Sequence, residues 1–419
     1  MLAKLIQHPA AATSAALRKH SHILFILPPS RQLSTDWPAA DVLASLISRR
    51  RLKAADLAKS PVSGNLQHGA LASWVMLDTA KSAFEQQAAV RGAMQPLLAE
   101  NPAEIALVVC GDALHSRAAS QVAVYCAWVN GVPLPERKRK ASRKPLKAIY
   151  LYGEVDAKAF GTARARAEGN VLCRELTMLP PNELTPEAYR EHIKTLAKEN
   201  GWQREELGYS QLKKMGAGAF CAVAQGSEKR DAAIVHLTYK HPNATRTIAL
   251  VGKGICFDTG GHNLKPAKYM YSMHEDMNGS AVALGILLAA TRMQLAINID
   301  CWLAVSRNDI SPRAYHQNEV VTALNGTSIE VMHTDAEGRM VLADTLTLAA
   351  REKPDLILDF ATLTGSMHAA LGDRYSGIFT TSEALSTQAV AAGRTAGERV
   401  CVFRRTTITT ARLTAKSPT

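Results

Sequence analysis

Residues Thr247–Met277 read TIALVGKGICFDTGGHNLKPAKYMYSMHEDM, and this stretch decides the fold of the chain. It opens with TIALV, an apolar run rich in β-formers that is typical of a buried strand in a parallel sheet, and we expect this strand to stop at Gly252. Open α/β sheets place their ligands at the carboxyl ends of such strands. Asp276 precedes a run of small and apolar residues at helical spacing, so we expect it near a helix start, where the helix dipole favours a carboxylate.

A second segment, HTDAEGR at His333–Arg339, repeats this arrangement. Residues 327–332 alternate like a strand, residues 334–338 form a predicted turn, and residues 340–350 read as an amphipathic helix. In extended geometry, side chains two residues apart point the same way, so Asp335 and Glu337 are expected to face one ligand. Arg339 lies two residues after Glu337, so its side chain is expected to point the same way. Its guanidinium is a permanent cation suited to binding a planar anion.

The two segments together supply charged residues for one site. Hard divalent cations prefer carboxylate oxygens, and two ions that share a site need several carboxylates, at least one of which bridges them. The candidate residues, four of them carboxylates, are Lys253, Asp258, Lys265, Asp276, Asp335, Glu337 and Arg339.

The same residues allow other interpretations. The GKG and GG stretches could cradle a phosphate, but the patterns GxxxxGK[ST] and GxGxxG after a strand are both absent. A single acidic residue in a turn is usually a cap or a solvated charge. Lys265 could be an ordinary surface lysine and Arg339 a salt-bridge partner, and the spacing leaves both alternatives open. His262 and His274 are not included among the metal ligands.

The two segments resemble the signatures of the leucyl aminopeptidase (cytosol aminopeptidase) family of dinuclear metallopeptidases. TMLPPNELTP at residues 177–186 resembles a third recurrent stretch of that family, and the resemblance extends from about residue 157 to 402. It implies a metal-dependent aminopeptidase that uses two divalent ions, Mn²⁺ or Zn²⁺, and releases N-terminal residues from peptides. It also implies a homohexamer.

Carried over position by position, the resemblance implies a metal-binding role for five residues. Lys253 and Asp276 are similar to the ligands of a tightly held ion, and Asp335 to a ligand of an exchangeable one. Asp258 and Glu337 match the bridging carboxylates. A lysine must be neutral to donate its nitrogen to a metal, so we expect Lys253 to be deprotonated at that point.

The resemblance also implies roles in the chemical step. Lys265 is expected to stay cationic and to stabilise the oxyanion, while the bound metals activate water. Arg339 is expected to hold a bicarbonate ion that relays the proton. Met273, Thr362 and Gly365 match positions that line an apolar pocket for a leucine-like or methionine-like first residue. Simple core packing is the alternative for Met273, because methionine commonly fills gaps.

Length and composition suit two α/β domains. With 419 residues and 47% hydrophobic content, but no apolar run near twenty residues, the chain gives no indication of a membrane span. We expect a smaller N-terminal α/β domain at 1–150, of regulatory or oligomer-supporting role, and a catalytic α/β domain with a mostly parallel, helix-flanked sheet at 151–402. Seven scattered cysteines without CxxC are typical of reduced thiols in the cytoplasm. Residues 1–19 contain no acidic residue, so a transit peptide is a lesser alternative for this segment.

Strands are predicted at 22–27, 73–78, 104–111 and 148–153 in the first domain, and helices at 82–98 and 120–129. The run PERKRKASRKPLK at 135–147 is expected to be a solvated linker. With the net charge of +12 it raises a second hypothesis, DNA binding, which we do not favour because aromatic residues do not interleave with the basic ones.

The end of the chain differs from the family pattern. Residues 403–419 read FRRTTITTARLTAKSPT, a basic, threonine-rich tail without apolar periodicity, where the resemblance implies several tens of further residues. We therefore expect a catalytic domain truncated at its C-terminus. The alternative function is a catalytically impaired family member with a metal-binding or DNA-binding role.

Overall fold

The structure, a computed structural model, describes residues 1–139, 142–153 and 159–404. These residues form two compact units. One contains 1–133, 142–153, 159–160 and 364–404, and the other contains 134–139 and 161–363. The predicted α/β fold is confirmed in both units. Parts of the predicted linker (140–141) and residues 405–419 of the tail lie outside the described residues, as do residues 154–158.

The first unit begins with six strands and four helices. The strands are β1 (Lys4–His8), β2 (His22–Leu27), β3 (Val62–Asn65), β4 (Leu71–Met76), β5 (Glu104–Val109) and β6 (Ala148–Tyr152). The helices are α1 (Ser14–Leu17), α2 (Ala40–Arg49), α3 (Ala83–Ala99) and α4 (Ala113–Asn130), and a 3₁₀ helix spans Ala54–Ala58. The predicted helix at 120–129 is therefore the second half of a longer one.

These strands form one sheet in the order β1-β6-β5-β2-β4-β3, parallel throughout except for the pair β3–β4. Every residue of β2 is buried, as its uninterrupted apolar sequence predicts for a central parallel strand. Strand β6 lies between β1 and β5, so the expected pairing of residues 148–153 with this sheet is confirmed. The domain limits given above remain predictions.

The second unit alternates helices and strands. Its helices are α5 (Gly161–Thr177), α6 (Pro186–Asn200), α7 (Tyr209–Met215), α8 (Gly218–Ala224), α9 (Ala267–Met270), α10 (Asn278–Arg292) and α11 (Glu337–Arg351). Its strands are β7 (Gln203–Gly208), β8 (Ala233–Tyr239), β9 (Thr247–Asp258), β10 (Asn298–Asn308), β11 (Val320–Thr322), β12 (Ser328–Glu330) and β13 (Leu356–Phe360). Short 3₁₀ helices span Met273–Met277 and Thr334–Ala336.

The central sheet of this unit has the order β13-β9-β10-β8-β7. Strand β9 is parallel to both of its neighbours, whereas β8 is antiparallel to β10 and β7. The sheet is therefore mixed, with two parallel and two antiparallel pairs, rather than mostly parallel as expected. The expectation that β9 stops at Gly252 is wrong. Pairing with β10 continues through Ser306 and, after an irregularity, to Asn308 opposite Asp258, which keeps the glycine-rich segment extended.

Both faces of this sheet are covered by apolar residues. Val251 packs in a core with α8 and α11, and its neighbour Leu250 packs in a second core with α5 and α10 on the other face. This burial on both sides explains why β9 begins as an unbroken apolar run. It also holds the carboxyl end of β9 rigidly, which is where the charged residues begin.

The C-terminal segment of the first unit contains α12 (Gly365–Leu371), β14 (Ser376–Thr380), α13 (Glu383–Ala396) and β15 (Val400–Arg404), with a 3₁₀ helix at Gly372–Arg374. Strands β14 and β15 pair in parallel as a separate two-stranded sheet. Within the described ranges, no helix is long and apolar enough to cross a membrane.

Candidate functional site

The site is built on the carboxyl half of β9. Lys253 and Asp258 belong to this strand, and each is only 2% exposed. After the strand, the backbone turns through Gly260, whose φ of +87° suits glycine. A side chain at this position would also lie 2.5 Å from the carbonyl oxygen of Asn263, so the turn requires glycine for space as well. The turn brings Lys265 back to the strand end.

Asp276 lies in the 3₁₀ helix that directly precedes α10, as predicted from its position before a helical run. Its side chain is buried, and Oδ1 accepts hydrogen bonds from Lys253 Nζ at 2.8 Å and from Thr362 Oγ1 at 2.7 Å. Its other oxygen, Oδ2, is buried and has no hydrogen-bond partner among the residues that the structure describes. A buried carboxylate oxygen with no donor is suited to a cation.

The geometry predicted for Asp335 and Glu337 is wrong in one respect. Strand β12 does not join the central sheet but pairs only with β11, as an antiparallel hairpin. Asp335 lies in a 3₁₀ turn whose start is capped by His333 Nδ1, which accepts a hydrogen bond of 3.1 Å from the Asp335 amide. Glu337 is the first residue of α11, which begins three residues earlier than predicted. A helical turn, rather than an extended strand, therefore presents the two carboxylates.

Three carboxylates nevertheless converge as the sequence predicts. Oxygen atoms of Asp258, Asp335 and Glu337 all lie within 4.8 Å of one another. Lys253 Nζ links Asp276 to this group, because it lies 2.8 Å from Asp276 Oδ1 and 2.8 Å from Glu337 Oε1. We call the four acidic residues the acidic cluster. The structure thus brings both sequence segments into one site.

Each of the three N–H groups of the Lys253 ammonium has an acceptor. Besides the two carboxylates, its Nζ donates to the backbone carbonyl of Thr362 at 2.8 Å. An ammonium has three donors and no lone pair, so Nζ can bind a metal only after a proton has left. Gly338 makes room for this side chain, since a Cβ atom there would lie 2.7 Å from Lys253 Cε.

Lys265 is not an ordinary surface lysine. Its Nζ lies 2.9 Å from Asp258 Oδ2 and 2.5 Å from Asp335 Oδ1, and its side chain is 14% exposed. The ammonium therefore lies across the two segments, next to two members of the acidic cluster. A cation held in this way can stabilise negative charge that develops beside the cluster.

The pKa values in the site reflect burial and crowding. Burial raises the pKa of Asp276 to about 6 and that of Glu337 to about 7; the neighbouring acids add to this and Lys253 opposes it. Burial disfavours the charged forms of Lys253 and Lys265, but the carboxylates outweigh burial and raise the pKa of both lysines. The four carboxylates of the acidic cluster thus carry more negative charge than the two lysines can neutralise.

The remaining predicted residues are more exposed. Arg339 is exposed and forms no ion pair with any carboxylate in the described ranges. Met273 is half-buried at the start of the 3₁₀ helix that carries Asp276, and Thr362 contacts Asp276 through its hydroxyl. Gly365 is the exposed first residue of α12 and belongs to the other unit.

Sequence reasoning missed several residues that position the site. Asn308 ends β10, is 1% exposed and donates to Asp258 Oδ1 at 2.8 Å. Thr334 joins the two segments, because its amide donates to Asn263 Oδ1 at 2.8 Å and its hydroxyl donates to the Gly260 carbonyl at 2.6 Å. The available signal for Asn308 was its place in the polar stretch SRN that follows the apolar run at 301–305, at the strand end where ligands bind.

The sequence of the chain is similar to that of a known protein family. Residues 171–415 match the family described as "Cytosol aminopeptidase family, catalytic domain". The chain belongs to this family. It is 38% identical over 394 residues to a probable cytosol aminopeptidase of Acidovorax ebreus (strain TPSY), covering 91% of this chain and 77% of the relative. A probable cytosol aminopeptidase of Pseudomonas fluorescens (strain SBW25) is 41% identical over 270 residues, 63% of this chain and 54% of the relative.

Two solved structures are similar in fold. The bottromycin maturation enzyme BotP in complex with Mn superposes with a TM-score of 0.79 at 28% identity, covering 95% of this chain and 84% of that one. The cytosol aminopeptidase of Coxiella burnetii has a TM-score of 0.78 at 23% identity, covering 96% and 82%. Family membership makes the chain a metalloaminopeptidase, a hydrolase that acts on peptides and uses two divalent metal ions.

The residues present fit such ions. The acidic cluster offers carboxylate oxygens from three residues at mutual distances below 4.8 Å, and Asp276 adds a buried oxygen that lacks a donor. Oxygen-rich sets of this kind suit hard divalent cations, and the neighbouring lysine nitrogen suits a borderline ion once it is neutral.

Proposed function

We propose that this chain releases leucine-like or methionine-like residues from the N-termini of peptides by means of a metal-activated water. The observation that carries the proposal is the convergence of Asp258, Asp335 and Glu337 within 4.8 Å, beside two lysines held by these same carboxylates. A site with only structural ion pairs does not require a surplus of buried acids. An acidic cluster that binds two cations does.

Five residues are proposed to hold the metals. Lys253 and Asp276 would hold one ion and Asp335 the other, while Asp258 and Glu337 would contribute to holding both. The ions, Mn²⁺ or Zn²⁺, would supply Lewis acidity for the activation of water and the polarisation of the scissile carbonyl. The central, buried position of Glu337 next to Lys253 supports a bridging role, because its carboxylate is within reach of both halves of the site.

Two cations of the chain are proposed to act in the chemical step. Lys265 stays protonated between Asp258 and Asp335, and its ammonium stabilises the oxyanion of the tetrahedral intermediate. Arg339, exposed and without an ion-pair partner among the described carboxylates, holds a bicarbonate ion that relays a proton to the leaving amine. This division requires no side-chain base.

The pocket for the first side chain is proposed to involve Met273, Thr362 and Gly365. Met273 is only half-buried, which supports a lining role over simple core packing, and Thr362 is tied to the Asp276 carboxylate. The domain limits 1–150, 151–402 and 403–419, a homohexamer and a cytoplasmic location are likewise parts of the proposal.

The test is hydrolysis of leucine, methionine and glutamate anilides by the purified chain, after chelation and again after addition of Mn²⁺ or Zn²⁺. We expect metal-dependent turnover with leucine and methionine preferred over glutamate. Asp335→Asn should lose turnover together with one of the two bound ions, whereas Asp36→Asn, at an exposed aspartate, should retain both.

Turnover by Asp335→Asn at the parent rate contradicts the proposal. Binding of two ions without any turnover supports the alternative function, a catalytically impaired family member with a metal-binding role. If the inactive chain is also retained on DNA in a salt-sensitive way, the alternative is a DNA-binding role. The mass in solution, measured on the same sample, tests the hexamer.

A further inference from the structure

A cavity lies in the first unit, and its lining residues are different from the residues assigned above. It has a volume of about 520 Å³ and lies between helix α3 and the segment that joins α12 to β15. Three of its lining residues are arginines, Arg91, Arg374 and Arg399, and two are acids, Asp373 and Glu398. Asp373 lies 3.0 Å from His368. With three arginines against two acids, the lining carries an excess of one basic side chain.

Arg399 is held in an unusual way. Its guanidinium carbon lies 3.7 Å from the centre of the Phe84 ring and 4.6 Å from the centre of the Tyr375 ring. Contacts of a guanidinium with two aromatic faces stabilise the cation and restrict the plane in which its N–H groups point. Gln87 supports the arrangement, because its Nε2 donates to the carbonyl of Ala396 at 3.2 Å, just before the segment that carries Arg399.

The guanidinium is nevertheless incompletely bonded. Nε and Nη2 of Arg399 are both buried and have no hydrogen-bond partner in the described part of the chain. These two nitrogens form one edge of the guanidinium, the edge that binds two oxygens of a carboxylate or phosphate side by side. Buried polar atoms without partners are rare in folded proteins, so an unpaired edge in a residue that lines a cavity points to a ligand.

We propose that this cavity is a binding site for a phosphate group, carried by a small molecule or present as the free ion. Arg399 binds two of its oxygens through Nε and Nη2, and Arg91 and Arg374 supply further positive charge at the lining. A dianion is preferred over a monocarboxylate because three guanidinium groups line the cavity. The aromatic contacts fix the Arg399 edge before the ligand arrives, which lowers the entropic cost of binding.

Isothermal titration of the metal-loaded full chain with inorganic phosphate, at constant ionic strength, tests this proposal. We expect saturable binding that Arg399→Gln weakens by about tenfold or more, since hydrogen bonds to a charged group are lost. Arg399→Lys should also bind weakly, because it keeps the charge but loses the bidentate edge. Arg394→Gln, at an exposed arginine of α13 outside the lining, is the matched control and should bind like the parent.

Arg374→Gln is a second variant, for the case in which Arg399→Gln fails to fold. It leaves the aromatic contacts of Arg399 in place and should weaken phosphate binding. Peptide hydrolysis by each variant separates this site from the metal centre, because loss of phosphate binding should leave turnover unchanged. Phosphate binding of equal strength in the parent and in both variants overturns the proposal, as does the absence of saturable binding. Equal binding of acetate and phosphate overturns the preference for a dianion.

Discussion

Asn308 and Asp258 lie opposite each other in strands β10 and β9, and Asn308 Nδ2 donates a hydrogen bond of 2.8 Å to Asp258 Oδ1. The same amide nitrogen lies 3.1 Å from the carbonyl oxygen of Thr334. One side chain thus ties the carboxylate at the end of β9 to the turn that carries Asp335. The acidic cluster is oriented by a neutral neighbour as well as by its two lysines.

Loss of this amide should disturb metal binding more than folding. We expect Asn308→Ala to weaken metal binding by about 10–100-fold, the range for partners that orient ligands. The unfolding free energy should fall by about 1–3 kcal/mol, because buried acceptors lose their donor. Titration of the chelated chain with Mn²⁺ and urea unfolding measure the two effects. Asn243→Ala, at an exposed asparagine, is the control, and parent-like Mn²⁺ affinity in Asn308→Ala contradicts the orienting role.

Lys265 should act on turnover without being needed for metal binding. Its ammonium lies 2.9 Å from Asp258 and 2.5 Å from Asp335, and bound cations can replace its charge there. We expect Lys265→Met to lower kcat for a leucine anilide by about 10²–10³-fold, as for loss of one oxyanion donor. Both ions should remain by elemental analysis.

Lys214→Met, at an exposed lysine of α7, is the matched control for this variant and should keep the parent kcat. An unchanged kcat in Lys265→Met excludes the proposed catalytic role. Loss of both metals together with kcat would instead assign Lys265 to the integrity of the site.

The sequence predicted the acidic cluster because its members lie in two short, contiguous segments. It could not predict Asn308, which is 50 residues from Asp258 and reaches it only through the register of two parallel strands. It predicted the strand at 327–332 but not its pairing with β11, because alternation alone does not reveal the partner of a strand. The end of β9 was misplaced for a related reason, since pairing with β10 overrides the glycines at 252 and 254.

Arg339 should affect proton transfer and leave folding unchanged. Because it is exposed and pairs with no described carboxylate, Arg339→Ala should change the unfolding free energy by less than about 0.5 kcal/mol. Added bicarbonate should raise the parent rate of anilide hydrolysis but have no effect on the variant. Arg313→Ala, at another exposed arginine, should respond to bicarbonate as the parent does. Equal responses of Arg339→Ala and the parent argue against the bicarbonate clamp.

His20 should make the first unit sensitive to acid. Burial, which outweighs the attraction of Glu104, keeps its pKa below the ordinary 6.5, and its Nε2 is within 2.8 Å of the Tyr152 hydroxyl. The unfolded chain therefore takes up a proton near pH 6.5 while the folded chain does not. Stability is unaffected above that pH and falls as the pH drops from 6.5 through the lowered pKa.

Urea unfolding as a function of pH tests this for His20→Gln, which should show a smaller loss of stability below pH 6.5 than the parent. The exposed His68 provides the control, because His68→Gln should keep the parent slope. Identical slopes for all three chains rule out a contribution from His20.

Gly338 should be needed for the position of Lys253 rather than for backbone conformation. A Cβ atom at residue 338 would lie 2.7 Å from Lys253 Cε and 2.9 Å from its Nζ, and the lysine cannot move freely because Nζ is fixed by three acceptors. We expect Gly338→Ala to displace this nitrogen, to cost about 1–3 kcal/mol of stability through overpacking, and to lower both bound metal and anilide turnover. Gly208→Ala, where no atom lies within 4 Å of the added carbon, should keep both. Full metal content and turnover in Gly338→Ala would show that metal binding does not depend on the space that Gly338 leaves for Lys253 Nζ.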